Sequence, residues 1–370
     1  MAGRGRSRLM LLASVFLVVG LILLVFAADY LVKGASSIAG TLGISPLIVG
    51  LTVVSFGTSA PELAVSVVSA FSDQADLAVG NVVGSNIFNV LVVLGISALI
   101  IPLVVHQQLI RFDVPVMIFL SLLLYGLCYD GDISRVDGMI LFSLGVIYLL
   151  FLLRQSKGEK NDAVLAEYEE EYGKTSEDPK WLRNISFVVL GMAGLVFGSE
   201  MLVRGAVTIA QFFGVSELII GLTIVSLGTS LPEVATSVVA AMKGERDIAV
   251  GNVVGSNIFN IVLVLGISSI VAPSGIEVSG HAVSFDMLFM VGVALATLPI
   301  FFYGYRVGRL AGFSFVLFYL IYVGYLILEA TSAGIFPGYR QVLVLGVVPV
   351  IGLCLLFVLF KGFTQPKNPV

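Results

Sequence analysis

Ala78–Asn89 reads AVGNVVGSNIFN, and Ala249–Asn260 reads AVGNVVGSNIFN again. The identity spreads outward from these twelve residues. Ile44–Pro102 and Val215–Pro273 agree at 37 of 59 positions, at a constant offset of 171 and without a gap. Chance does not hold register over that length, so each half of the chain carries a copy of one unit. Each copy also holds a Gly-Thr-Ser-x-Pro-Glu box, GTSAPE at Gly57–Glu62 and GTSLPE at Gly228–Glu233. Both boxes interrupt runs otherwise apolar enough to span a membrane. An ionisable residue at that depth is expensive and marks a functional site by default.

Composition sets the class. Of 370 residues, 58% are hydrophobic and only 12% charged, against about 25% charged in soluble domains. This is the balance of a polytopic membrane protein, with the lipid bilayer as its surroundings. Cys128 and Cys354 fall in apolar stretches with no CxxC spacing, and read as small core residues. His106 and His281 lie in connecting segments, so His-based catalysis or zinc binding within the membrane has no material. Arg4, Arg6 and Arg8 before an apolar run resemble a signal peptide. However, FLVVGLILLVFAADYLVKGA from Phe16 aligns with the internal FVVLGMAGLVFGSEMLVRGA from Phe187. The first run is therefore expected to be a retained span.

A hydrocarbon core of ~30 Å needs about 20 helical residues. Expected spans are 9–32, 45–71, 76–101, 113–129 and 136–153, then 184–203, 215–242, 247–271, 285–302 and 310–328. The expected fold is all-α: a first five-helix repeat (9–153), a charged linker (154–183) and a second repeat (184–328). A further apolar run, 342–360, is expected to form an eleventh span outside the repeat. Five spans per repeat is an odd number, so the copies should have opposite orientations, as in many secondary transporters. The side holding the linker collects fourteen of the twenty Lys and Arg residues. That bias places the linker and C-terminus in the cytoplasm and the N-terminus outside. The linker's Glu167, Glu169, Glu170 and Glu171 read as a solvated connection.

Within the first box, Pro61 lacks an N–H and disfavours helix at Ala60, while Gly57 loosens the preceding turn. A helix interrupted there frees backbone carbonyls, which is tolerated at membrane depth only where buried or lining a wet cavity. Glu62 follows the break, so its carboxylate can converge with the carbonyls of Ser55 and Thr58. Glu233, with Ser226 and Thr229, repeats the arrangement. Asn81, Ser85 and Asn89 are spaced i, i+4, i+8 along one face of the next helix, as are Asn252, Ser256 and Asn260. Carboxylates, hydroxyls, amide oxygens and carbonyls form an all-oxygen set suited to hard cations such as Ca²⁺ and Na⁺. Glu62 and Glu233 offer two negative charges with no basic residue in the central spans, and Ca²⁺ would neutralise them. Without an ion the pair repels itself, so protons should compete with the metal. Asn86 and Asn257 fall off the polar face and read as helix–helix hydrogen bonds. Asp29 and Glu200 sit near span ends, and Asp113 and Asp286 read as carboxylates opening the fourth and ninth spans.

GTSAPE…GNVVGSNIFN and GTSLPE…GNVVGSNIFN resemble the two α-repeats of the calcium/cation antiporter superfamily, closest to prokaryotic sodium/calcium exchangers. The resemblance implies ten core helices, with the second, third, seventh and eighth lining the site and the first and sixth sliding during alternating access. It also implies that Glu62 and Glu233 bind Ca²⁺ with the carbonyls of Thr58 and Thr229. Ser59, Ser85, Ser230 and Ser256, with the carbonyls of Ser55 and Ser226, would complete flanking Na⁺ sites. Asn89 and Asn260 would be the central polar pair. Sodium/calcium exchangers often carry Asp at one member of that pair, and potassium-dependent relatives also use an acid there. Asparagine at both counts against K⁺ coupling and leaves Na⁺ or H⁺ as the driving ion.

The expected function is Ca²⁺ exchange for Na⁺ by alternating access, with a Ca²⁺/H⁺ or other divalent-cation antiporter as the alternative. A cation channel fits less well, because filters are often rings of several chains. A protease would need a membrane-embedded His or a mid-span Asp pair, and a pump would need a nucleotide loop. The chain has none of these. No cofactor, nucleic acid or obligatory protein partner is expected.

Overall fold

The computed structural model describes residues 2–71, 75–158, 181–214 and 226–331. The linker centre, the first part of the seventh expected span and the 342–360 run lie outside them. The described residues form helices α1 (Ala2–Leu42), α2 (Pro46–Thr58), α3 (Ala60–Phe71), α4 (Leu77–Ile100), α5 (Leu109–Asp130) and α6 (Arg135–Gly158). In the second copy follow α7 (Trp181–Phe212), a helical turn at Ser226–Gly228, α8 (Leu231–Met242), α9 (Arg246–Val271), α10 (Ala282–Phe302) and α11 (Arg309–Thr331). Eight of these helices are long and apolar enough to cross a membrane, and α2 with α3 makes a ninth, bent by 45°.

Helices α4 and α9, which carry the duplicated twelve residues, form the centre: 78% and 89% of their apolar stretches are buried, against 17% for α1. Leu11, Leu12, Val18, Ile22 and Phe26 on α1 face outward, as residues in contact with lipid must. Equivalent helices α1 and α7 pack on each other in antiparallel directions. A Cβ at Gly20 would lie 2.6 Å from Leu202 N and 2.7 Å from Gly198 O. At Gly191, 171 residues on, it would lie 2.7 Å from Leu31 N and 2.9 Å from Ala27 O. The two contacts exchange under the repeat offset, so a pseudo-two-fold axis passes between these helices. Without a hydrophobic driving force in lipid, such backbone contact supplies the dispersion energy that holds helices together.

The same exchange recurs in the connections. Leu103–Val104 (β1) pairs antiparallel with Arg306–Val307 (β4), and Asp132–Ile133 (β2) with Ile276–Glu277 (β3). Arg135 donates through Nε to Ala272 O at 3.0 Å and through Nη2 to Pro273 O at 2.9 Å, and Arg309 Nη2 reaches Ile100 O at 3.4 Å. Each connection thus joins one copy to the other.

Several expectations need correction. The first and sixth spans, read as 9–32 and 184–203, continue as helix to Leu42 and Phe212. Their hydropathy falls at Lys33 and Arg204, but no backbone breaker follows until Gly43 (φ 65°) and Gly214 (φ 76°). Then Ser45 accepts from Ile48 N at 3.4 Å and Pro46 starts α2. Linker residues 154–158 are also helical, extending α6. Asp29 is bonded to Lys33 at 2.8 Å and also to Lys243 at the end of α8.

Asp113 and Asp286 do not open their helices. They close widened i→i+5 turns, Leu109–Asp113 and Ala282–Asp286, that begin earlier. Tyr148 Oη donates to Asp113 Oδ1 at 3.0 Å and Tyr322 Oη to Asp286 Oδ1 at 2.7 Å, while His281 Nδ1 lies 3.2 Å from Asp286 Oδ2. Removing the hydroxyl from a fully buried acid's donor should cost about 1–3 kcal/mol. Tyr148→Phe is therefore expected to lower thermal stability in detergent more than Tyr322→Phe, because His281 still supports Asp286. Equal melting temperatures for the two variants would contradict this.

Candidate ion site between the two copies

The boxes bend the chain as their chemistry requires. Pro61 deprives the Gly57 carbonyl of its i+4 donor, and its ring crowds that carbonyl. The break falls at Ser59 (φ −82°, ψ 5°) rather than at Ala60, and Ser230 matches it (φ −90°, ψ 6°). Helices α3 and α8 restart there, which places Glu62 and Glu233 in their first turns. The partial positive charge of a helix N-terminus favours a carboxylate at that position.

Both glutamates are fully buried, and each is held by the other copy's box. Ser230 Oγ donates to Glu62 Oε1 at 3.0 Å, and Ser59 Oγ donates to Glu233 Oε1 at 3.4 Å. The second oxygen of each, Oε2, is buried without a partner among the described residues. Among the described residues neither carboxylate is paired with Lys, Arg or His. Ser59 and Ser230 stand three residues before Glu62 and Glu233, so these crossed bonds bring the two carboxylates into one seam. Buried polar atoms in native proteins are nearly always satisfied, so two orphaned carboxylate oxygens in one seam call for a cation.

The surrounding hydroxyls and amides follow the same crossing pattern. Thr58 Oγ1 donates to Asn252 Oδ1 at 3.1 Å, and Thr229 Oγ1 to Asn81 Oδ1 at 3.2 Å. The serines of α4 and α9 differ: Ser85 Oγ lies 3.0 Å from Ser230 Oγ, whereas Ser256 Oγ lies 3.4 Å from Thr58 Oγ1 rather than beside the equivalent Ser59. Asn81 Nδ2 is fixed by Ser66 Oγ at 3.0 Å and Glu62 O at 3.2 Å, and Asn252 Nδ2 by Ser237 Oγ at 3.0 Å. Their amide oxygens are thereby turned toward the opposite threonines. Asn81 and Asn252 were legible as members of the polar stripe. Their role as orienters, and that of Ser66 and Ser237, was not.

The structure therefore brings together Glu62, Glu233, Thr58, Thr229, Ser59, Ser230, Ser85 and Ser256. Ser55 is less available than expected. Its carbonyl accepts Ser59 N–H at 3.0 Å and competes at 3.3 Å with Asn252 Oδ1 for the single Thr58 hydroxyl proton, and its hydroxyl donates to Gly50 O at 2.6 Å. The side chain of Ser226 lies outside the described residues. Asn89 and Asn260 are fully buried at the start of widened turns, Asn89–Leu94 and Asn260–Leu265. Such turns recur at functional sites, because a misaligned ladder leaves backbone groups to bind something else.

Comparison with known proteins gives a consistent result. The family model described as sodium/calcium exchanger protein matches residues 12–154 and again 184–328. The inner membrane protein YrbG of Escherichia coli is 42% identical over 294 residues, covering 78% of this chain and 89% of YrbG. The sodium/calcium exchanger MaX1 of Methanosarcina acetivorans is 31% identical over 338 residues, covering 83% of this chain and 96% of MaX1. Among solved structures, the sodium-calcium exchanger NCX_Mj, soaked with Na⁺ and Sr²⁺, superposes with a TM-score of 0.73 at 29% identity. That match covers 85% of this chain and 98% of NCX_Mj. With a family model matching both copies and relatives aligned over nearly their whole length, the chain belongs to the sodium/calcium exchanger protein family.

Proposed function

We propose that the chain is a secondary antiporter exchanging Ca²⁺ for Na⁺ by alternating access, through one site shared by two inverted five-helix repeats. The observation that carries this reading is the pair of buried glutamates, each gripped by the other repeat's serine and each with one oxygen unpartnered. Ca²⁺ takes six to eight oxygens and is best matched by carboxylates, and here a net −2 meets a ring of hydroxyl and amide oxygens. Ca²⁺ as cargo would be held by Glu62 and Glu233 with Thr58 and Thr229. Na⁺ would use the same carboxylates with Ser59, Ser85, Ser230 and Ser256, with Asn89 and Asn260 between them. The carbonyls of Ser55 and Ser226 would join only after breaking bonds such as those Ser55 makes here. Because the ligands overlap, one ion must leave before the other binds, and that exclusion is what couples the two fluxes.

Inversion of the repeats (9–153 and 184–328) is supported by the antiparallel packing of the equivalent helices α1 and α7. The strand pairings add to this. The connection after α4 joins the one after α10, and the connection after α5 joins the one after α9. Such partners share a membrane face only when the copies are oppositely oriented. Charge bias then supports a cytoplasmic 154–183 linker and C-terminus and an outside N-terminus, with 342–360 as an added span.

The decisive experiment is uptake of radioactive Ca²⁺ into proteoliposomes under an outward Na⁺ gradient, repeated with a pH gradient alone. Uptake that saturates and reverses with the Na⁺ gradient is expected. Uptake driven only by pH would establish the H⁺ alternative, since both carboxylates could instead carry protons. Uptake that never saturates and needs no counter-ion would indicate a channel.

A further inference from the structure

The two copies also depart from symmetry at four facing asparagines on α4 and α9. Asn86, Asn89, Asn257 and Asn260 are each at most 2% exposed. Asn86 Nδ2 donates to Asn257 O and Asn257 Nδ2 to Asn86 O, both at 3.2 Å, so this pair obeys the pseudo-two-fold symmetry. The next bond breaks it. Asn260 Nδ2 donates to Asn86 Oδ1 at 3.1 Å. Its symmetry mate would run from Asn89 Nδ2 to Asn257 Oδ1. That bond is missing, and Asn89 Nδ2, Asn89 Oδ1 and Asn257 Oδ1 are buried without a protein partner.

Local sequence does not explain the difference, because Ala78–Asn89 and Ala249–Asn260 are identical. Either copy can adopt either arrangement, so the asymmetry is conformational. Two inverted halves in different conformations produce the opposite access state when they exchange them. Asn86 and Asn257 lie three residues before Asn89 and Asn260, within one helical turn of them. Each can therefore hold the amide plane of the other copy's candidate ligand.

We infer that Asn86 and Asn257 are positioning residues that act alternately. Asn86 anchors Asn260 in the state seen here, and Asn257 anchors Asn89 in the state open to the opposite face. This rests on the inverted-repeat antiporter reading. The anchored amide holds its oxygen fixed and free to take an ion, since Asn260 Oδ1 has no partner among the described residues. The released Asn89 is free to turn. An unmatched buried amide is costly, so making one bond while breaking its mate keeps the two states close in energy. That balance is what a carrier needs.

Asn86→Ala and Asn257→Ala test the inference. Each removes one of the two reciprocal bonds to backbone, so that loss is common to both variants. Apart from the contact of Asn257 Nδ2 with Met117 Sδ at 3.6 Å, only the lost anchor differs. Hydrogen–deuterium exchange of ion-free protein in nanodiscs would compare residues 101–108 and 303–308 on one face with 131–134 and 272–281 on the other. The ratio of exchange between faces is expected to move in opposite directions in the two variants, by about three- to tenfold each, the population shift of one buried hydrogen bond. Identical profiles, or shifts in the same direction, would overturn the inference. If the alanine variants cannot be recovered, the near-isosteric Asn86→Leu and Asn257→Leu serve the same comparison. The readout does not depend on flux. A wild-type protein without Ca²⁺ exchange would sink the proposed function, whereas normal flux with matching profiles would sink only the anchors.

Discussion

Glu62→Gln and Glu233→Gln are each expected to reduce Ca²⁺ exchange at least about a hundredfold while leaving a folded, monodisperse protein. Each variant halves the charge available to a divalent ion in a seam with no other acid bonded to it. Charge-assisted contacts are roughly twice as strong as neutral ones, and Ca²⁺ affinity follows ligand charge count. Glutamine is isosteric and still accepts the Ser230 or Ser59 hydroxyl through its amide oxygen, so the helix bends at Ser59 and Ser230 should persist. Two readouts separate site from fold. A ligand that binds only the native state raises its melting temperature, so Ca²⁺ should stabilise the wild type and not the variants. Their ion-free melting temperatures should stay close to that of the wild type. Because each carboxylate is held in the same way by the opposite copy, the two variants should fail alike. Undiminished flux in either one would remove that glutamate from the site.

Gly191→Val should be strongly disruptive although it lies away from the site, lowering stability by about 3 kcal/mol, at the upper end of overpacking costs. Its Cβ would meet Leu31 N, Leu31 Cβ and Ala27 O, all within 2.9 Å. Two of these atoms are backbone and cannot swing aside, so α1 and α7 would have to separate along their whole contact. Dispersion falls steeply over the first ångström of separation. Gly20→Val, at the equivalent place, should behave in the same way. Gly292→Ala is the control, since no described atom lies within 4 Å of its added Cβ. Thermal unfolding in detergent would show the difference, and a melting temperature for Gly191→Val equal to that of the control would refute close packing between these helices.

Much of this is legible in the amino-acid sequence. The interruption of α2 follows from Pro61 and Gly57, and the shared face of Asn81, Ser85 and Asn89 follows from helical spacing. The reciprocal bonds of Asn86 and Asn257 follow from their lying off that face. Helix ends were harder to place. Leu42 and Phe212 end helices that outrun their apolar stretches, because a helix stops where the backbone turns left-handed and not where hydropathy falls. Asp113 and Asp286 were misjudged because a widened turn shifts the helix start while keeping the residue inside it, within reach of tyrosines on α6 and α11.

The amino-acid sequence by itself determined that there are two copies, that each carries one acid at membrane depth, and which oxygen-bearing residues share its face. These follow from chain-local physics: identity, spacing and the missing proline N–H. Tertiary structure alone decided that Ser230 holds Glu62 and Ser59 holds Glu233, and that Asn260 is anchored while Asn89 is not. Those pairings join residues 168 to 174 positions apart, through helices that approach closely where Gly251 and Gly255 of α9 meet Leu47, Leu51 and Ser55 of α2. A packed interior has discrete arrangements, and which one is adopted depends on every helix at once.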